Sequence, residues 1–184
     1  MQKIAAVLPK TFDLLGVERG AVLREFAAAC PPLDISRIRN ARQFHAFLAA
    51  RWRGRAPVPP YLFDVAGFEL ACAEARIDAD RASAVEPTLT GPRSIRRRPG
   101  VALVRTSFDI RPIFESDRKG VEPIQREVLQ AIACHAGEPH ICDLTREVFD
   151  LLAALDSWAS VTKLFDADRL IDELTEAGLL EVRR

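Results

Sequence analysis

The sequence predicts an α+β protein: an N-terminal helical domain followed by a C-terminal winged helix-turn-helix with a β-hairpin. Three observations lead there. Apolar residues recur at helical spacing through roughly the first ninety residues. The stretch "EPTLTGPRSIRRRPG", residues 86–100, concentrates Pro, Gly and Arg and reads as a boundary. Beyond it, short β-branched and aromatic runs give way to amphipathic helical patterns and a last strand. The expected domains are residues 1–90 and 91–184.

The elements follow in order. "VERGAVLREFAAAC" is a helix stopped by Pro31-Pro32. "NARQFHAFLAARW" sets Phe44, Phe47, Leu48 and Trp52 on one side, with Asn40 expected as its N-cap. "APVPPYL" is a stiff connector, and the long helix "PYLFDVAGFELACAEARIDAD" carries Pro60 in its first turn. Leu62, Val65, Phe68, Glu69, Cys72 and Ala75 fall near one stripe of it, so Glu69, if buried, requires a hydrogen-bonded or ionic partner. "VALVRTSFDIRPIF" reads as extended. "EVLQAIAC" and "PHICDL" flank "HAGE" as a hairpin. A helix then starts near Thr145, with Thr145 or Asp143 as cap and Phe149, Leu152 and Leu155 on its apolar face. "SVTKLF" is expected as a short second helix. "DADRLIDELTEAGLL" is expected as a third, capped by Asp166 and stopped at Gly178, and "LLEVRR" closes the chain as a strand.

Bulk properties narrow the functional classes. The 184 residues are 48% hydrophobic and 28% charged, an ordinary globular balance. No apolar run approaches the ~20 residues that cross a bilayer. The N-terminal apolar run is too short for a secretory signal, which predicts a soluble cytoplasmic protein. Cys30, Cys72, Cys134 and Cys142 are scattered, without a CxxC pair, and read as buried thiols. Net charge is zero but unevenly spread: +2 over residues 1–92, +5 over 93–126 and −7 over 127–184.

That asymmetry bears on the winged module. In a helix-turn-helix the second helix of the pair enters the major groove. Here that helix carries Asp166, Asp168, Asp172, Glu173 and Glu176 against Lys163 and Arg169. Phosphate neutralisation supplies most non-specific DNA affinity, so an acidic recognition helix argues against DNA. The basic run Arg93, Arg96, Arg97 and Arg98 keeps nucleic acid as a weaker alternative. A winged module can instead take an extended peptide, which adds a strand to the hairpin edge and lays side chains beside the last helix. The acidic helix would then select Lys or Arg in the peptide.

Chemistry within the chain is sparse. Cys134, His135, His140 and Cys142 form a nine-residue cluster of soft ligands. With Gly137-Glu138 as the turn, residue 135 opposes 140 and 133 opposes 142. His135, His140 and Cys142 then share one face and Cys134 points to the other. At most three ligands converge, which favours a structural or peptide-groove role over a metal site. No nucleophile triad, phosphate loop or Gly-rich fingerprint is present. Asp64 and Glu69 lie five apart, about 140° round a helix, and make no acid–base pair. Asp109 and Arg111 stand two apart on a presumed strand, as in a surface ion pair.

The segment "EVLQAIACHAGEPHICDLTREVFDLLAALDSWASVTKLFDADRLIDELTEAGLLEV" resembles the PqqD-like winged module, the RiPP recognition element of ribosomal peptide natural-product pathways. "PYLFDVAGFELACAEARIDA" is similar to a "P-Y-L-x-D-x-A-x-x-E-x-A" helix in partner proteins of multinuclear non-heme iron oxidative enzymes (MNIOs), here through Pro60, Tyr61, Leu62, Asp64, Ala66, Glu69 and Ala71. "RRRPGVALVRTSFDIRPIF" resembles the segment that follows in those partners. Together the similarities span most of residues 44–182. They look most like the partner subunit of the 3-thiaglutamate pathway and next like that of the methanobactin pathway.

The resemblance implies a non-catalytic subunit without a cofactor of its own, joined as a heterodimer to a TIM-barrel oxidase that carries the iron. The subunit would bind a precursor's leader and help present a cysteine. The outcome would be β-carbon excision of a C-terminal cysteine in the first pathway, or oxazolone and thioamide formation in the second. On this reading the leader lies along His140, Ile141, Cys142, Asp143 and Leu144 and packs on Leu170, Ile171 and Leu174. The oxidase meets Tyr61, Phe63, Phe68, Arg96, Arg97, Arg98, Asp109 and Arg111. The aromatic residues among these also fit a plain core role. A free-standing winged-helix transcriptional regulator, or a small metalloprotein built on the 134–142 cluster, is the alternative.

Overall fold

The structure is a computed structural model that describes residues 2–30, 36–82, 94–115, 120–135, 138–160 and 168–183, with residues 80–82 and 135 described by backbone alone. It is a mixed α+β chain with two three-stranded sheets. Among the described residues no helix is long and apolar enough to cross a membrane.

The elements run α1 (Gln2–Ala5), α2 (Pro9–Leu14), a 3-10 turn (Gly16–Glu18), α3 (Arg19–Ala29), α4 (Arg37–Arg51) and α5 (Leu62–Ala82). They continue β1 (Ser94–Arg97), β2 (Ala102–Asp109), α6 (Arg111–Phe114), β3 (Ile124–His135), β4 (Glu138–Asp143), α7 (Arg146–Ala154), β5 (Ala159–Ser160), α8 (Asp168–Glu176) and β6 (Leu180–Arg183). The sheets have the orders β5-β1-β6 and β2-β3-β4. The chain divides into two compact units that alternate along the sequence. Unit 1 is Met1–Ala73 with Arg105–Val128, and unit 2 is Glu74–Val104 with Leu129–Arg184. The dividing points fall inside α5, β2 and β3.

Unit 1 is built on aromatic packing. Phe12, Phe26, Phe44, Leu48, Leu62 and Ala66 are buried together. Phe26 meets Phe44 edge-on, with centroids 5.1 Å apart, a favoured aromatic arrangement. Helix α4 starts earlier than expected. Its N-cap is Ser36, whose hydroxyl accepts from the Arg39 N–H at 3.4 Å. Asn40 is already one turn inside, its N–H bonded to the Ser36 carbonyl, so it cannot be the cap.

Helix α2 has the opposite problem. The residue before it, Leu8, offers no side-chain acceptor. Glu69 of α5 supplies one from a distance. Its carboxylate accepts from Lys10 N (2.7 Å), Thr11 N (2.9 Å) and Thr11 Oγ1 (2.7 Å). The buried acid that the α5 stripe flagged therefore caps a second helix. Leu62, Val65, Phe68 and Ala75 of that stripe are buried with it.

Unit 2 packs Ile95, Ala131, Ala133, Leu152, Leu155, Ile171, Leu174, Leu179 and Leu180 into its own core. Of the two expected caps, Thr145 or Asp143, it is Thr145 that caps α7, accepting from Val148 N at 3.4 Å. Gly178, at φ +72, ends α8, and Leu179 N–H returns to the Leu174 carbonyl. Leu180–Arg183 forms the expected last strand, paired antiparallel to β1. Residues 161–167 lie outside the described residues, and with them the Asp166 cap and nearly all of "SVTKLF". Ser160 is described as the end of β5.

One expectation is overturned here. Arg96 and Arg97 are not in a linker. They lie in β1, the central strand of its sheet, with Ile95 fully buried between β5 and β6. After β1 the chain turns at Gly100, which adopts φ +86. A Cβ there would lie 2.8 Å from Ala79 N and 3.0 Å from Ala79 Cα. Both the backbone conformation and the close approach demand glycine. Gly100→Ala is expected to cost about 2 kcal/mol or more, whereas Gly54→Ala, where a Cβ meets nothing within 4 Å, stays near neutral. Urea denaturation of the two variants checks this.

Candidate functional site

The hairpin of unit 2 fixes the first candidate surface. Strands β3 and β4 pair antiparallel with Ala131 opposite Cys142, Ala133 opposite His140 and His135 opposite Glu138. The expected register is corrected by two residues: position 135 pairs with Glu138 rather than His140, and residues 136–137 lie outside the described residues. The slip is even, so the partition of faces survives. His140 and Cys142 remain on one side of the ribbon and Cys134 on the other. Among the described residues no group of three His, Cys, Asp or Glu side chains gathers as a metal site.

The phase of the ladder decides which backbone groups point where. Leu144 N–H donates to the Leu129 carbonyl at 2.8 Å. In an antiparallel pair, hydrogen-bonded and non-hydrogen-bonded positions alternate. Cys142 and His140 therefore turn their amides toward β3. Ile141 and Asp143 turn theirs away from it, and so does position 139, where Pro139 has no N–H to present. Strand β4 is the outer strand of its sheet. Ile141 is 46% exposed. Asp143 accepts from Gln130 Nε2 at 2.8 Å.

The residues beside this strand are brought together only in part. Cys142, Leu144 and Leu170 are half-buried against the unit 2 core. Ile171 and Leu174, expected to touch a ligand, are inside that core, at 1% and 7% exposure. That corrects the expected groove: on α8 only Leu170 retains apolar surface. The solvent side of α8 carries Asp168, Asp172, Glu173 and Glu176 against Arg169, which is itself engaged by Glu173 at 2.8 Å.

The expected oxidase-facing residues divide between the two units. Tyr61 and Phe68 are core residues, with Phe68 against Phe114 at 4.7 Å, so neither offers a surface patch. Phe63 is half-buried and stacks on His45 at 4.6 Å. In unit 2, Arg96 Nε donates to Glu181 at 2.7 Å, and its guanidinium lies 4.6 Å over the Trp158 ring. Arg97 donates to the Val101 carbonyl, and Arg98 is exposed.

Unit 1 holds a tighter charged cluster. Asp109 accepts from Arg111 Nε (2.7 Å) and Nη2 (2.6 Å) and from Arg126 Nη2 (2.6 Å). The expected pair is therefore not a weakly held surface contact. Arg126 lies 17 residues from Asp109 in sequence and reaches it because β3 brings it in, which no local pattern announces. The Arg111 hydrogen bonds hold the Asp109 carboxyl at about 2, against the opposing effect of burial. Nearby, the Tyr61 hydroxyl donates to Glu122 at 2.9 Å. Burial, and then that carboxylate, push Tyr61 up to about 12. Asp64 accepts the Ser107 and Phe108 amides at 2.8 and 2.9 Å, while burial pushes its pKa up.

No family model matches the chain, and no curated protein matches it.

The low Asp109 pKa has a stability consequence with a defined sign. A carboxyl depressed from 3.8 to about 2 contributes stability above 3.8 that disappears as pH falls toward 2. Chemical denaturation from pH 5 to pH 2 is expected to show Asp109→Asn less stable than wild type at pH 5, with the difference closing toward pH 2. A constant difference across that range would mean Asp109 is not held low by the two arginines.

Proposed function

We propose that the chain is a leader-peptide-binding accessory subunit. It forms a heterodimer with an iron-dependent TIM-barrel oxidase and presents a precursor-peptide cysteine for oxidative modification. In this reading unit 2 is a winged helix-turn-helix of the recognition-element type, with the β3–β4 hairpin as its wing. The observation that carries the reading is the outer strand β4, which turns the Ile141 and Asp143 amides away from β3 and leads directly into α7. An extended leader adds there as a further strand, with backbone pairing for register and side chains for choice.

Charge supplies the preference. Glu138, Asp143, Glu147 and Asp150 are exposed on β4 and α7, and α8 is acidic on its solvent side. Such a surface favours a leader with Lys or Arg and disfavours a polyanion. Leu170 provides an apolar contact, while Ile171 and Leu174 support it from below. The proposed partner rests on the sequence resemblance: an oxidase that supplies the iron and excises the β-carbon of a C-terminal cysteine, or, alternatively, forms an oxazolone and thioamide.

Co-expression with a multinuclear iron oxidase and a precursor peptide encoded near its gene tests this. The expected result is a heterodimer on size exclusion that binds the leader. Ile141→Pro removes an outward amide without touching the β3 ladder, a substitution edge strands tolerate. It is expected to weaken leader binding by about tenfold or more and to leave oxidase association intact. A chain that stays alone and binds duplex DNA at physiological salt would overturn the reading in favour of a transcriptional regulator.

A further inference from the structure

Unit 1 contains a cleft that leader binding does not use. Its volume is about 220 Å³, and it is lined by Glu18 on one side of the chain and by Arg51, Trp52, Arg55, Pro57 and Val58 on the other. The walls are held from behind. Glu18 ends the 3-10 turn, its N–H bonded to the Leu15 carbonyl at 3.0 Å. Trp52 follows α4, packs on the unit 1 core and meets Phe63 edge-on at 6.3 Å. The Arg55 N–H closes the next turn onto the Trp52 carbonyl at 3.3 Å. Arg51 is paired with Glu25. Glu18 and Arg55 differ from that pair. Both are exposed, and among the described residues neither has an ionic partner, so their charged atoms stand more than 4.0 Å apart. Beside them Val58 is 78% exposed, an apolar side chain left uncovered.

We propose that this cleft binds a free apolar α-amino acid. The ligand's ammonium goes to the Glu18 carboxylate and its carboxylate to the Arg55 guanidinium, whose parallel N–H groups match a planar anion. Its side chain covers Val58 and the exposed part of Trp52, which removes apolar surface from water. Size favours a small ligand: the volume equals roughly seven waters at about 30 Å³ each, below the about 300 Å³ at which drug-sized pockets begin. Charge favours a zwitterion. A phosphate or a dicarboxylate would set a second anion beside Glu18, and a simple amine would leave Arg55 unmatched. Both charged groups face water, so screening keeps the affinity low, with a dissociation constant on the order of 1 mM. The cleft belongs to unit 1 and the β4 edge to unit 2, so this proposal and the leader-binding reading can fail separately.

The test is an NMR titration of the whole chain that follows the indole Nε1–H signals of its two tryptophans, Trp52 and Trp158, with Trp52→Phe to assign them. The probes are L-leucine, N-acetyl-leucine, which lacks the ammonium, and leucinamide, which lacks the carboxylate. Leucine is expected to shift the Trp52 signal saturably, and each blocked form to bind about fivefold more weakly. Glu18→Gln is expected to bind leucine and N-acetyl-leucine alike, and Arg55→Gln to bind leucine and leucinamide alike. Both side chains are exposed, so neither change disturbs folding. Four results would overturn the proposal: no saturable Trp52 shift with leucine, equal binding of leucine and its blocked forms, either variant discriminating as the wild type does, or tighter binding of succinate than of leucine.

Discussion

The Glu69 carboxylate is the point on which unit 1 turns. Helix α2 is six residues long and lacks a local cap, and a helix that short has no independent stability. Glu69 places an anion at its N-terminus and takes the amides of Lys10 and Thr11. That anchors Leu8 and Phe12, which are buried beside Phe44 and Leu48. The arrangement has a cost. Burial raises the Glu69 pKa even though three donors favour the charged form. Proton binding to Glu69 is thus easier in the folded chain, and its ionisation opposes folding as pH rises above the usual carboxyl range. Few substitutions could serve here, because the site needs a long acceptor able to take several bonds at once.

Asp64 on the same helix plays a similar part. It takes the amides of Ser107 and Phe108, where strand β2 nears its end. Five positions separate the two acids, so they leave α5 in different directions and serve different backbone segments. Both belong to the sequence pattern that resembles partners of iron oxidases. In this chain each has a structural task that accounts for an acid at that place, as does Tyr61 through packing and its Glu122 bond.

The sequence carried the local features well. Thr145 as a cap, Gly178 as a stop and the α5 stripe all follow from chemistry within a few residues, and all are found. What was hidden depends on distance. Strand β1 has one buried side chain, Ile95, among arginines, so it shows no alternation. Its partners are Glu181 and Trp158, more than sixty residues away. The hairpin register slipped because "HAGE" admits two placements of a tight turn. Both give the same faces, so the apolar pattern could not choose between them. Asn40 was expected as the cap of α4 in place of Ser36 because the apolar positions do not mark where the helix's first turn begins. For the candidate site, the edge strand was legible. The burial of Ile171 and Leu174 was not, since a moderately long amphipathic helix gives the same pattern for a core face and a binding face.

Pro139 sits where β4 would otherwise present an outward amide. The strand thus offers outward donors only at Ile141 and Asp143 before the chain enters α7. A peptide taken up there gains a very short ladder, too brief to hold it by backbone pairing alone. Under the proposed function the remaining affinity comes from side chains and from a second attachment. Tethering of that kind raises the local concentration of the peptide without new contacts at the strand. Leader recognition would then be weak in the isolated subunit and strong in the assembled pair, making assembly itself the condition for capture.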